Sequence, residues 1–212
     1  MGILPGGLHG PTYKKTGSIT ARRHRHLNVV SAPYRKSNKP PTDKQLDEQS
    51  KFGLLNRFLS RIDMLVKPGF KKYAKGPTEV NAAFSYNYPH AFVKTENGFA
   101  LNYPEIKYSR GHIATPEEPQ VKITETHLIF SWLPQTQNAS CQYTDLATFL
   151  IYDQTKQRAF KFIAASDRYT GEHNINIPKK YFKGPLHCYM SFASANGKLV
   201  GDSIYVARID LD

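Results

Sequence analysis

From Pro119 to Asp212 the chain repeats one pattern seven times, a short run of β-branched, aromatic or aliphatic residues followed by polar, Gly or Pro residues. The runs lie at 121–124, 127–133, 147–152, 159–163, 174–177, 187–193 and 203–209. Strands this short and this closely spaced predict antiparallel neighbours, and seven of them predict two sheets packed face to face. Segments 153–156 and 195–197 fall where hairpin turns belong. The single Trp132 sits in the second run beside Phe130 and Leu133, as the large residue at the centre of such a core.

Upstream the period changes to that of a helix. Pro40-Pro41 ends an arm, Thr42 is a candidate N-cap, and Gln45 three residues on completes a capping box. Leu55, Phe58, Leu59, Ile62, Leu65 and Val66 follow one helical face, with Pro68-Gly69 as the expected stop. Leu46 and Phe52 extend the stripe, so one long helix and two helices broken near Gly53 both fit. A further helix is expected after Thr78, limited by Pro89, and then short strands at 99–103 and 106–109, with Asn97-Gly98 as a hairpin turn. Three parts result: a Gly/Pro-rich basic arm at 1–41, a helical region with short strands at 42–118, and a β-sandwich at 119–212. The fold class expected is α+β.

Charge is distributed unevenly. Residues 1–75 hold 16 Lys and Arg against 4 Asp and Glu, and the remaining 137 residues hold 13 against 13. Net charge confined to one end points to a polyanion or an acidic partner there. The arm buries little by itself, although 18–20 and 27–31 suit a hairpin. The first ten residues lack the apolar run of a secretory signal, and no stretch nears the roughly 20 apolar residues of a membrane span. A cytoplasmic protein is the default expectation, with export that uses no N-terminal signal, or incorporation into an extracellular assembly, left open.

Catalytic chemistry is sparse. The sequence contains no P-loop, dinucleotide fingerprint, His-Glu-x-x-His or Gly-x-Ser-x-Gly motif. His24 and His26 share a strand face, but Arg22, Arg23 and Arg25 around them repel a cation. Glu117-Glu118, bracketed by Pro116 and Pro119, reads as a solvated linker. Cys141 and Cys188 lack paired spacing and read as free buried thiols. No enzyme activity, cofactor or metal is expected.

Trp132, Tyr152, Tyr189 and the Ala195-Asn196-Gly197 turn give the last part a resemblance to a fibronectin type III module, which implies a binding or spacer unit. The whole chain resembles a bacterial family of unknown function. The resemblance is carried by the MGIL start, the Pro40-Pro41-Thr42 helix entry, Lys51-Phe52, Arg57-Phe58-Leu59 and Gly69-Phe70-Lys71. Asn81-Ala82-Ala83, Ser85-Tyr86-Asn87, Asn196 to Lys198 and Ser203 to Val206 continue it. Relatives carry Gly-Lys-Val-Gly and Trp-Lys-Gly in the arm, where this chain has Lys14-Lys15-Thr16-Gly17 and Arg22 to His26.

Two functions follow from the residues. In the first, a structural or assembly protein self-associates or docks through the arm, anchored by Ile3, Leu4 and Leu8, and presents the sandwich outward. In the second, Lys14, Lys15, Arg22, Arg23, Arg25, Arg35, Lys36 and Lys39 contact the phosphates of a nucleic acid or another polyanion without sequence preference. A merely solvated arm is the plain alternative to both.

Overall fold

A computed structural model describes residues 14–24, 27–33, 39–96 and 98–211, which divide into two units, Met1–Thr42 and Asp43–Asp212. In the first unit, β1 (Lys14–Thr16), β2 (Ile19–His24) and β3 (Leu27–Ser31) form an antiparallel sheet in that order. The expected hairpin is present, since β2 pairs with β3 from Thr20↔Ser31 to His24↔Leu27, and β1 adds a strand outside it. Gly17, at φ 59°, makes the β1–β2 turn in a conformation that side chains resist.

The second unit starts with α1 (Asp43–Arg61), one residue after Thr42. The helix then breaks at Ile62, where φ −116° and ψ 22° leave helical geometry while the apolar stripe continues, and resumes as α2 (Asp63–Phe70). Gly53 stays inside α1. Its cost of about 1 kcal/mol relative to Ala is smaller than the gain from burying Leu55, Phe58 and Leu59, about 1.5–3 kcal/mol each. Pro68 likewise does not stop α2 but lies within it, and the helix runs on to Phe70 and a 3-10 turn at Lys71–Tyr73. The Thr78 hydroxyl accepts the Asn81 N–H at 3.3 Å and caps α3 (Glu79–Asn87), as expected.

The strand expected at 106–109 does not form. Its backbone is taken by side chains: Lys107 N–H donates to Asn87 Oδ1 at 2.8 Å, and the Tyr108 and Ser109 N–H groups both donate to Ser203 Oγ. The local hairpin instead joins β4 (Phe92–Thr95) to β5 (Gly98–Leu101), around the expected turn. Asn97 of that turn lies outside the described residues.

Seven strands follow: β6 (Glu117–Ile123), β7 (Leu128–Leu133), β8 (Leu146–Asp153), β9 (Arg158–Asp167), β10 (Glu172–Ile175), β11 (Leu186–Ala193) and β12 (Ile204–Ile209). They make a three-stranded sheet of order β10-β7-β6 and a four-stranded sheet of order β12-β11-β8-β9, all antiparallel. Glu117 pairs with Leu133, and Glu118, at φ 43°, lies in a bulge, so this acidic pair belongs to the edge of β6 rather than to a linker.

Residues of both sheets share one apolar cluster. Leu128, Phe130 and Trp132 of β7 and Ile175 of β10 meet Phe149 and Ile151 of β8 and Cys188, Met190 and Phe192 of β11. A second cluster joins the helices to the other face of the four-stranded sheet, bringing Leu55, Phe58, Ile62 and Phe70 against Leu150, Tyr152 and Tyr189. β6 therefore alternates exposed and half-buried residues along much of its length, while β8 and β11 are buried almost throughout because both of their faces are covered. The architecture is mixed α+β.

Candidate interaction site

The sequence-derived cations fall on the first unit. Lys15 lies on β1 and Arg22 on β2, both exposed, and Lys39 is exposed near the end of the unit. Lys14 and Arg23 belong to the same two strands. Ile3, Leu4, Leu8, Arg25, Arg35 and Lys36, together with His26, lie outside the described residues. Residues 1–42 hold eight Lys and Arg and no Asp or Glu. Among the side chains described in this unit Ala21 is the single buried hydrophobic, while Ile19 is 37% and Val30 57% exposed. A sheet of three short strands is marginal in water unless an apolar face of it is covered.

On the second unit, α2 and the four-stranded sheet leave an apolar cleft of about 350 Å³ between them. Met64, Leu65 and Pro68 form one wall, and Ile163, Phe192 and Val200 contribute to the other. Gly69 lets the walls approach, because a Cβ there would sit 2.4 Å from the Tyr108 carbonyl oxygen and 2.7 Å from Ser109 Cα. The Tyr108 hydroxyl at the floor donates to Ser191 Oγ at 2.9 Å, and burial raises its pKa well above the usual tyrosine range. Met64, 56% exposed, and Ile163, 49% exposed, form an apolar lip. Ala164 adopts φ 52° within β9, and its N–H donates to Thr148 Oγ1 at 3.3 Å, so the edge strand is kinked where it borders the cleft. Such a cleft suits an apolar side chain or a short apolar segment; its few polar groups are engaged with one another.

Two titratable constellations lie elsewhere, and the contacts explain both as packing. His187 stacks on Tyr103 with ring centroids 3.7 Å apart, and its nitrogens lie 3.1 Å from Tyr205 Oη and 3.1 Å from Gln154 Oε1. Burial, aided by Arg208, pulls its pKa down to about 4, so the ring is neutral near pH 7. Arg168 is only 1% exposed. Its Nε donates to Asp145 Oδ2 at 3.3 Å, Nη1 to Gln135 Oε1 at 2.5 Å and Nη2 to the Ala114 carbonyl at 2.7 Å, and its own carbonyl accepts Trp132 Nε1–H at 2.7 Å. Trp132 is thus in the core as expected, with its one polar atom satisfied.

Cys141 and Cys188 are free and buried, and burial pushes the Cys188 thiol up to about 12. Among the described residues no three His, Cys, Asp or Glu side chains gather as a metal site would require, and no helix is long and apolar enough to cross a membrane. Sequence reasoning missed the cleft, because its walls come from segments far apart in the chain; the helical spacing of Leu65 marked only the buried side of α2.

No curated protein matches the chain. A family model, described as a family of unknown function (DUF6266), matches residues 11–207.

Proposed function

We propose, from the premise that the chain belongs to the family of unknown function DUF6266, that it is a non-enzymatic structural or assembly protein. It docks through its basic N-terminal arm and presents a fibronectin type III-like sandwich. The observation that carries this reading is the first unit's small three-stranded sheet, in which, among the side chains described, Ile19 and Val30 are exposed and Ala21 is the one buried hydrophobic. A sheet of that kind gains stability from a surface supplied by a partner, through main-chain pairing and burial. The strand orders β10-β7-β6 and β12-β11-β8-β9, with a shared core between the sheets, support the sandwich reading of the last part. In this reading the apolar cleft between α2 and β9 receives Ile3, Leu4 or Leu8 from a neighbouring copy.

Light scattering after size exclusion tests the proposal on nuclease-treated protein. An oligomer should persist at about 1 M salt, where the screening length is about 3 Å, and should be lost on deletion of residues 1–10 and in Met64→Asp/Ile163→Asp. A deletion variant that assembles like the full chain refutes the arm's role.

A second reading rests on the eight cations without a carboxylate in residues 1–42. A polyanion held there would bind with an affinity that falls steeply with salt. Replacing Arg22, Arg23 and Arg25 with Ser would flatten that slope, whereas an oligomer held by apolar anchors would be indifferent to the change.

A further inference from the structure

The second unit carries a cluster of uncompensated positive charge that the sequence count did not point to. Arg61, at the C-terminal end of α1, and Lys156, Arg158 and Lys161 of the β8–β9 hairpin line one pocket of about 400 Å³, together with Gln157 and Ala159. The register Asp153↔Arg158 leaves 154–157 as the turn, with Gln157 at φ 49°, and this sets Lys156 and Arg158 on either side of it. Lys161 Nζ donates to the Arg61 carbonyl at 3.2 Å, tying the strand to the helix end, and Lys156 Nζ donates to the Tyr181 carbonyl at 2.6 Å.

Local carboxylates do not balance this charge. Asp153 is buried, and its two oxygens accept the N–H groups of Lys156 at 2.8 Å and Lys183 at 3.1 Å. Asp63, which feels the field of Lys161, is paired with Lys67 at 2.9 Å. Among the described residues none of the four pocket cations forms an ion pair. The carbonyl end of α1 accounts for Lys161, and the Tyr181 carbonyl for Lys156. Arg158 has only the Phe160 ring, 5.8 Å away, and the Arg61 guanidinium has no hydrogen-bond acceptor among the described residues.

We propose that this pocket binds a small phosphate-bearing anion of the pyrophosphate class. The two guanidiniums offer planar, paired donors matched to phosphoryl oxygens, and the two ammonium groups add point charge that their carbonyl contacts leave in place. A single-stranded nucleic acid is the less suitable occupant, because it needs a basic groove that follows the backbone together with aromatic stacking platforms, whereas these cations are confined to one hairpin and one helix end.

Isothermal titration of the full chain with inorganic pyrophosphate at low salt tests the site, with a single-stranded oligonucleotide titrated in parallel. Wild type should bind pyrophosphate saturably. Arg61→Ser/Arg158→Ser should weaken it by about tenfold or more with an unchanged melting temperature, since both side chains are exposed. Lys198→Ser, outside the pocket, should bind like wild type. The proposal is overturned if wild type does not bind pyrophosphate, if the double variant binds it as tightly as wild type does, or if the oligonucleotide alone binds.

Discussion

Truncating Asp145 to Ala should be among the most damaging single changes in the second unit, although the residue touches no pocket described above. The substitution removes the one carboxylate that the described residues place on the Arg168 guanidinium and leaves that cation, 1% exposed, without a counter-charge among them. It also strips the Gln142 N–H of its acceptor at 2.9 Å. Breaking a buried ion pair from one side costs about 3–5 kcal/mol. Gln135, the Ala114 carbonyl and the Phe192 ring, 3.7 Å from Cζ, still serve the guanidinium, which places the expected loss near the lower bound, about 3 kcal/mol. At about 2–4 °C per kcal/mol for a unit of this size, the melting temperature should fall by about 6–12 °C. Thermal unfolding followed by circular dichroism and by the fluorescence of the lone Trp132, whose indole is bonded to the Arg168 carbonyl, reads both the global and the local effect. Arg168→Met/Asp145→Leu should recover most of the loss, because replacing a buried pair with apolar side chains is often neutral or better. An Asp145→Ala protein that melts within about 2 °C of wild type refutes the reasoning, as does a double variant less stable than either single one.

Gly69→Ala should cost about 1–3 kcal/mol or more in urea unfolding, since the new methyl would press on the Tyr108 carbonyl and Ser109 from inside α2. Asn87→Ala should cost about 1–3 kcal/mol, because the buried amide donates to the Ala83 and Lys107 carbonyls and accepts the Lys107 N–H; a loss below about 0.5 kcal/mol would show that water replaces it. His187 titrates near pH 4 when folded and near about 6.5 when unfolded. The unfolded chain therefore binds the extra proton across that window: stability is complete above about pH 6.5 and is lost toward pH 4, at up to about 1.4 kcal/mol per pH unit, and His187→Gln should flatten this part of the profile. A thiol reagent at pH 8 should modify Cys188 only as fast as the protein opens, and modification at the rate of a free thiol would contradict its burial.

The seven strand runs were legible because each one is local, with its apolar residues and its turn inside a window of about a dozen residues. β8 and β11, buried on both faces, read as strands from the same β-rich composition, but nothing local announced that helices cover their outer face. The helix break at Ile62 carries no breaker residue, whereas Gly53 and Pro68, which look like breakers, are tolerated inside helices held by packing. The missing strand at 106–109 was lost to Asn87 and Ser203, side chains too distant in sequence to enter any window. Charge counting marked the arm but could not see the second basic site. Arg61 falls in the basic half of the count and the hairpin lysines in the balanced half, and only the pairing of β9 with the end of α1 brings them together. Arg168 was invisible for the opposite reason, as a residue type that belongs at the surface unless it is paired.

The double burial of β8 and β11 also bears on how such a chain can be inherited. A sandwich that keeps both outer sides wet can be copied, fused or transplanted by recombination as a cassette, because cutting at its ends uncovers nothing greasy. Here a cut near residue 118 would strip α1 and α2 from Leu150, Tyr152 and Tyr189 and leave an adhesive plate of aromatic and aliphatic side chains. Asp43–Asp212 is therefore expected to travel between genes as one piece, with the helical cover and the strands beneath it gained or lost together.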